Sequence, residues 1–182
     1  RVAGRADSGN RSVRAGVCPR MLLLLSLAAL GTTPEVAPPT ILETYPPPEG
    51  AVRQAPPDAF GRWIQQLPLR DEGEPLRAHD GRILYGHDAH VLDLDMVSGD
   101  LQQCADAVIR VRGEWQRSVG QAVSFYATSG DPIPWSRYAG GERPYAEGNR
   151  TRWRAGGDGT WDGYLTRVFD WAGTISLKAY ET

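Results

Sequence analysis

Hydrophobic residues recur at helical spacing in three parts of the chain, which predicts three amphipathic helices. The first begins after Asp58, a capping residue, and stops at Pro68; its apolar residues are Phe60, Trp63, Ile64 and Leu67. The last begins at about Thr160 and closes at Gly173; its apolar face consists of Trp161, Tyr164, Leu165, Val168 and Phe169. Between them, a helix capped by Asp100 carries along one side Leu101, Cys104, Ala105, Val108, Ile109, Arg112 and Trp115.

Shorter segments mix hydrophobic and polar residues in the alternation typical of strands. They are RILYG at 82–86, HVLDLD at 90–95 and AVSFYAT at 122–128. A long segment rich in glycine, proline and aromatic residues follows and is predicted to be a loop. This mixture of elements, without an internal repeat, indicates an α+β fold with antiparallel strands and a packed central helix.

The beginning of the chain has a different character. Its apolar run LLLLSLAAL follows Met21, is preceded by Arg14 and Arg20, and ends in small residues, as in a secretory signal peptide. The run is shorter than the roughly 20 residues that cross a bilayer, so no transmembrane span is predicted. We therefore expect residues 1–31 to be a leader and the protein to be exported to the periplasm or cell envelope. The alternative is a chance hydrophobic stretch.

Residues 32–57 are rich in proline, which removes amide donors and favours extended polyproline II structure. This composition predicts a semi-rigid tether outside the fold, with the domain over residues 58–182. The alternative is an extended arm that packs along the domain.

Composition and charge limit the classes of partner. The 182-residue chain is 41% hydrophobic and 23% charged, as expected of a globular protein with one domain. Its net charge of -2 supplies no positive surface for nucleic acid, so we expect no nucleic-acid partner. Cys18 lies in the predicted leader, which would leave Cys104 without an internal disulfide partner.

Three segments of the chain resemble a known family. The longest runs from Phe60 to Trp115, beginning FGRWIQQLPLR and ending DLQQCADAVIRVRGEW; FYATSG and WAGTISL follow later. They resemble the domain of unknown function family 4846, which occurs in exported and lipid-anchored bacterial proteins. The resemblance implies an uncharacterised cell-envelope domain that is non-catalytic or catalytically incomplete. In that family, strands with a Gly-Asp block and a Gly-His block follow the position of Thr182, so we expect the C-terminal part of the domain to be missing.

Cys104 is the candidate catalytic residue. It occupies the first turns of a predicted helix, where unpaired amides and the positive end of the helix dipole favour a thiolate. This arrangement resembles the papain-like peptidases of the NlpC type, in which a cysteine opens a helix and a later histidine acts as the base. The resemblance implies a peptidase or amidase of the cell envelope as the alternative function. The competing interpretation is structural, because a free cysteine on an apolar helix face is usually buried.

Trp135, Tyr138, Arg143 and Trp153 are the candidate binding residues. Aromatic rings stack on apolar ligand surfaces and arginines bind carboxylates, so the predicted loop would line a groove for a cell-envelope peptide or glycan. The alternative is that these aromatic residues cover the core.

The segment HDAHVLDLD contains the side-chain types that bind divalent metals. On a strand, however, His87 and His90 would point to opposite faces, which opposes joint ligation. We therefore predict no metal site and no cofactor.

Overall fold

A computed structural model describes residues 37–84 and 90–180. The elements are, in chain order, α1 (Ile41–Thr44), α2 (Ala59–Gln65), α3 (Cys104–Ser118), β1 (Ser124–Tyr126), β2 (Pro132–Pro134), α4 (Trp135–Ala139), β3 (Glu142–Glu147), β4 (Arg150–Ala155), α5 (Trp161–Trp171) and α6 (Thr174–Tyr180). In this part of the chain, β1 pairs with β2 and β3 pairs with β4, both antiparallel. The predicted α+β class with antiparallel strands is confirmed.

The hydrophobic core is built around α5. Thr160 caps this helix, because its hydroxyl accepts a hydrogen bond from the Gly163 amide at 3.0 Å. The predicted apolar face is confirmed, since all of its members are buried: Trp161, Tyr164, Leu165, Val168 and Phe169. Tyr164 is 0% exposed, and its hydroxyl donates to the Ile133 carbonyl at 2.7 Å. This bond satisfies a polar group inside the core and joins α5 to β2.

The opposite side of the core comes from β1, β2 and α3. Its central residues are Phe125, Ile133 and Ile109, all buried. Gly113 lets α3 approach α5 closely, because a Cβ atom at this position would lie 3.3 Å from the Trp161 ring. A larger residue would have to displace that ring.

The start of α3 differs from the prediction. The N-cap is Gln103, not Asp100, and the Asp106 carboxylate accepts the Gln103 amide at 3.0 Å. With this start, Cys104 and Val108 are exposed and do not belong to the buried face. The predicted apolar side of α3, which included both residues, is wrong. The charged residues Asp106 and Arg110 are buried and occupy part of the inward face instead.

Arg110 is one of these inward charged residues, with only 3% of its surface exposed. Its Nε lies 2.8 Å from Glu114 Oε1, and the same oxygen accepts from Trp161 Nε1 at 2.7 Å. A buried guanidinium is strongly destabilising without a counter-charge, so Glu114 is what permits this placement. The pair also fixes the Trp161 ring between α3 and α5.

The segment predicted as one long loop contains regular structure. The chain passes through β2 and α4 into the hairpin of β3 and β4, whose register runs from Glu142 opposite Ala155 to Glu147 opposite Arg150. Gly148 has a φ of 59° at the turn, a conformation that glycine adopts readily. The loop prediction is wrong because the glycines mark turns between short elements.

The residues before α3 form single bridges where strands were predicted. Ile83 pairs with Arg77 and Leu92 pairs with Leu69, without a continuous ladder. Residues 85–89 lie outside the described part of the chain. Within the segment predicted to be a tether, Thr40 bridges to Pro68.

The helix predicted around Phe60 is confirmed as α2, with Asp58 as its cap. It lies against α3, where the Phe60 ring contacts Trp115 with 5.1 Å between ring centroids. The Arg112 guanidinium lies 4.8 Å from the Trp115 ring, which adds a cation–π contact. These contacts attach the N-terminal half of the domain to α3.

Trp115 and Trp63 allow a test of this packing, because Trp115 is 8% exposed while Trp63 is only half-buried. We predict that Trp115→Ala lowers the free energy of unfolding by about 3–5 kcal/mol, the usual cost of deleting a buried aromatic side chain. Trp63→Ala should cost clearly less, since part of its ring is already in water. Chemical denaturation measures both, and equal losses would contradict the described packing.

Candidate functional site

A shallow cleft of about 570 Å³, largely open to solvent, lies where the end of β1, the β3–β4 turn and the end of α5 meet. Its polar and aromatic lining residues include Thr128, Ser129, Asn149, Arg150, Asp170 and Trp171. Small-molecule sites in proteins usually have volumes of about 300–1,000 Å³. The cleft therefore has the size of a ligand site.

Asp131 fixes the polar wall of this cleft. Its Oδ2 accepts the Thr151 amide at 2.7 Å and the Ser129 hydroxyl at 3.0 Å, and its Oδ1 accepts Arg150 Nη1 at 3.2 Å. The amide of Thr151 is the largest cause that lowers the pKa of Asp131, and Ser129 and Arg150 act in the same direction. The ionised carboxylate thereby ties β4 to the turn between β1 and β2.

Trp171 forms the aromatic wall. The Thr128 amide and hydroxyl both donate to its carbonyl, at 2.9 and 3.0 Å. A carbonyl in the last turn of a helix has no partner within the helix, so these two bonds complete the end of α5. Trp171 is half-buried and packs against the core while it lines the cleft. Its position is therefore set before any ligand arrives.

Two side chains at the β3–β4 turn are open to a ligand. Asn149 is exposed, and its amide makes no hydrogen bond within the described part of the chain. Arg150 is also exposed and uses one of its nitrogens for Asp131. Together they place several hydrogen-bond donors beside Trp171.

Cys104 lies apart from this cleft, as the first residue of α3. Its exposure excludes the interpretation that it is a core residue. The described histidines are engaged elsewhere: His79 lies 3.8 Å from Asp100, and His90 Nδ1 lies 3.0 Å from the Tyr45 hydroxyl. Among the described residues, neither histidine forms a hydrogen bond with Cys104.

Two of the predicted binding residues contribute to the core. Trp135 meets Trp161 and Tyr164 edge-on, with ring centroids 5.3 and 5.4 Å apart. Tyr138 is 4% exposed, and burial raises the pKa of its hydroxyl. These contacts favour the alternative in which the aromatic residues cover the core.

The other two predicted binding residues lie on the hairpin. Trp153 is half-buried on β4, and the Arg137 guanidinium lies 4.8 Å from its ring. Arg143 is half-buried on β3, and its Nε has no hydrogen-bond partner among the described residues. Neither residue lines the cleft beside Trp171. The proposed grouping of four residues into one groove remains a prediction.

The described residues include no cluster of three or more His, Cys, Asp or Glu side chains that could hold a metal ion. His87 and Asp88, which belong to the candidate metal segment, lie outside the described ranges. In residues 37–84 and 90–180, no helix combines the length and hydrophobicity needed to span a bilayer.

The Asp131 network predicts an acid-sensitive contribution to stability. Because the pKa of Asp131 is lowered from its ordinary 3.8, the stabilisation is present above about pH 4 and is lost as the pH falls through the folded-state pKa. Asp131→Asn cannot titrate, so its free energy of unfolding should fall less steeply between about pH 4 and pH 2 than that of the wild type. Urea denaturation across this range measures both slopes. Identical slopes would show that the network does not stabilise the fold.

Comparison with known proteins places the chain in a family. No curated protein and no solved structure matches it. Residues 41–182 match the family described as domain of unknown function (4846). This match includes α1 to α6 and the whole cleft, and it agrees with the resemblance noted in the sequence. Since the match covers well over half of the chain, the protein belongs to the domain of unknown function family 4846.

Proposed function

We propose that this domain is a non-catalytic binding module of an exported cell-envelope protein, and that it binds an envelope peptide or glycan in the cleft beside Trp171. The observation that carries the proposal is a cleft lined both by the polar groups that Asp131 holds and by the half-buried Trp171. Ligand sites combine an apolar surface with a few oriented polar groups, and groups that are already ordered reduce the entropic cost of binding. The leader pattern in residues 1–31 and the family resemblance support export.

The chemistry of the cleft favours binding over catalysis. Ser129 donates to Asp131, which is the arrangement of a hydroxyl beside a possible base. An effective general base has a pKa near the working pH, however, and the pKa of Asp131 is held below its ordinary value. The carboxylate therefore organises the wall and is a poor proton acceptor.

The test is co-sedimentation of the purified chain with a bacterial cell-envelope fraction. We predict that the double variant Asn149→Ala, Arg150→Ala binds about tenfold more weakly, because it removes both open side chains and the charged hydrogen bonds of Arg150. Arg152→Ala is the matched control: this exposed arginine of β4 pairs with Glu147 and does not line the cleft.

Absence of binding to the envelope fraction would reject the proposal. If the double variant and the Arg152→Ala control bind equally well, the cleft is not the binding site. Circular dichroism and thermal unfolding of each variant establish that the fold is retained.

The alternative function concerns Cys104, which is exposed at the first residue of a 15-residue helix. The first-turn amides of a helix stabilise a thiolate and also the oxyanion that forms during acyl transfer. The alternative proposal is a papain-like hydrolase of the NlpC type, with Cys104 as the nucleophile. Its base would be a histidine outside the described residues.

Thiol reactivity separates these two functions. In a Cys18→Ser background, where Cys104 is the remaining thiol, the binding-module proposal predicts alkylation by iodoacetamide at the rate of an ordinary exposed cysteine. At about pH 6 an ordinary thiol is almost fully protonated and reacts slowly. A rate at that pH well above that of a free cysteine, together with loss of hydrolysis of envelope material in Cys104→Ser, would support the hydrolase instead.

A further inference from the structure

We infer that the ligand of this cleft is a neutral saccharide with adjacent free hydroxyl groups, bound with one sugar ring against Trp171. This inference rests on the proposed binding function and names the chemical class of its ligand. It follows from three features of the cleft: its charges are paired, the side chains of its β3–β4 turn have free hydrogen-bonding groups, and the Thr151 amide already donates to Asp131.

The charges beside the cleft are already compensated within the protein. Arg150 Nη1 lies 3.2 Å from Asp131 Oδ1, and Arg167 Nη1 lies 3.2 Å from Asp170 Oδ2. A strongly charged ligand would have to compete with these pairs. A wall whose charges are paired therefore favours a neutral, polar ligand.

The open polar groups suit hydroxyl pairs. The Asn149 amide offers two donors and an acceptor, and Arg150 offers further donors in one plane. Each hydroxyl of a sugar both donates and accepts, so two adjacent hydroxyls can bridge one planar amide or guanidinium group. The cleft presents both groups side by side at the β3–β4 turn.

Trp171 supplies the apolar surface that such a ligand needs. The C–H face of a pyranose ring is apolar and can pack on an indole ring, whose face carries partial negative charge. The two hydrogen bonds from Thr128 hold the Trp171 backbone at the end of α5, and its half-buried side chain packs against the core. The ring therefore loses little conformational freedom on binding.

A peptide fits the cleft less well. Extended peptides often bind by adding a strand, which requires free backbone donors and acceptors on a sheet edge. At the cleft, the Thr151 amide of β4 already donates to Asp131 at 2.7 Å. The carboxylate thus occupies the donor that an added strand would use.

The experiment treats the envelope fraction before it is mixed with the purified chain. Periodate cleaves the carbon–carbon bond between adjacent free hydroxyls of sugars, whereas a protease removes peptide. We predict that periodate abolishes binding and that protease leaves it unchanged. If protease abolishes binding, or if binding survives both treatments, the saccharide inference is wrong. The proposed binding function would still hold in either case. No binding to the untreated fraction would overturn both.

Variants tie the saccharide to the cleft. Asn149→Ala changes an exposed side chain without a bond in the described structure, and it should weaken binding to protease-treated envelope about fivefold. Trp171→Leu should weaken it about tenfold. Trp63→Leu is the control for replacing a half-buried tryptophan outside the cleft and should bind as the wild type does. Wild-type binding by Asn149→Ala and Trp171→Leu would overturn the inference.

Discussion

The burial of one face of α5 is the constraint on which the rest of the domain depends. Its five inward residues share one core with Ile109 of α3, Phe125 of β1 and Ile133 of β2, so this helix packs against three elements that come earlier in the chain. Within this packing, the Tyr164 hydroxyl donates to the Ile133 carbonyl and Trp161 Nε1 donates to Glu114, so both of these polar groups are satisfied. Loss of the α5 face would therefore remove the packing partner of α3 and of the strands and expose their apolar surface.

The same helix places the candidate site. Where α5 ends, its last carbonyls need partners, and Thr128 at the end of β1 supplies two donors to Trp171. Asp131, three residues later, binds the amide of Thr151 and so brings the β3–β4 turn to the same place. The bonds at the end of α5 and the Asp131 carboxylate thus bring three segments together around the cleft: the end of β1, the β3–β4 turn and the end of α5. The groups left for a ligand are the Asn149 amide and the Arg150 nitrogens that do not bind Asp131.

The sequence predicts the parts of this structure that are governed by local pattern. The face of α5, the Asp58 cap of α2 and the strand around Phe125 all follow from spacing and capping residues. The burial of Arg110 does not follow from spacing, because it depends on the distance between Glu114 and Trp161 after folding. Spacing alone also placed Cys104 on the hydrophobic face of α3, whereas the folded structure leaves it exposed.

The candidate site was harder to predict than the fold. The abundance of aromatic residues led to the prediction of Trp135 and Tyr138 as binding residues, but their rings pack in or against the core. The polar wall left a weaker signal in the sequence: Ser129 and Asp131 flank a glycine with a φ of 83°, a pattern typical of a turn. That this turn binds Thr151, 20 residues later, is a long-range contact that no local pattern encodes.

Hydrogen–deuterium exchange of the purified chain, with and without the envelope fraction, tests most directly whether this cleft is the functional site. The account predicts that exchange slows in peptides that cover residues 128–131 and 147–151, because a bound ligand covers the polar wall there. Peptides from the start of α3 should exchange at the same rate with and without the envelope. Slower exchange confined to the residues around Cys104, with no change at the β3–β4 turn, would contradict the account.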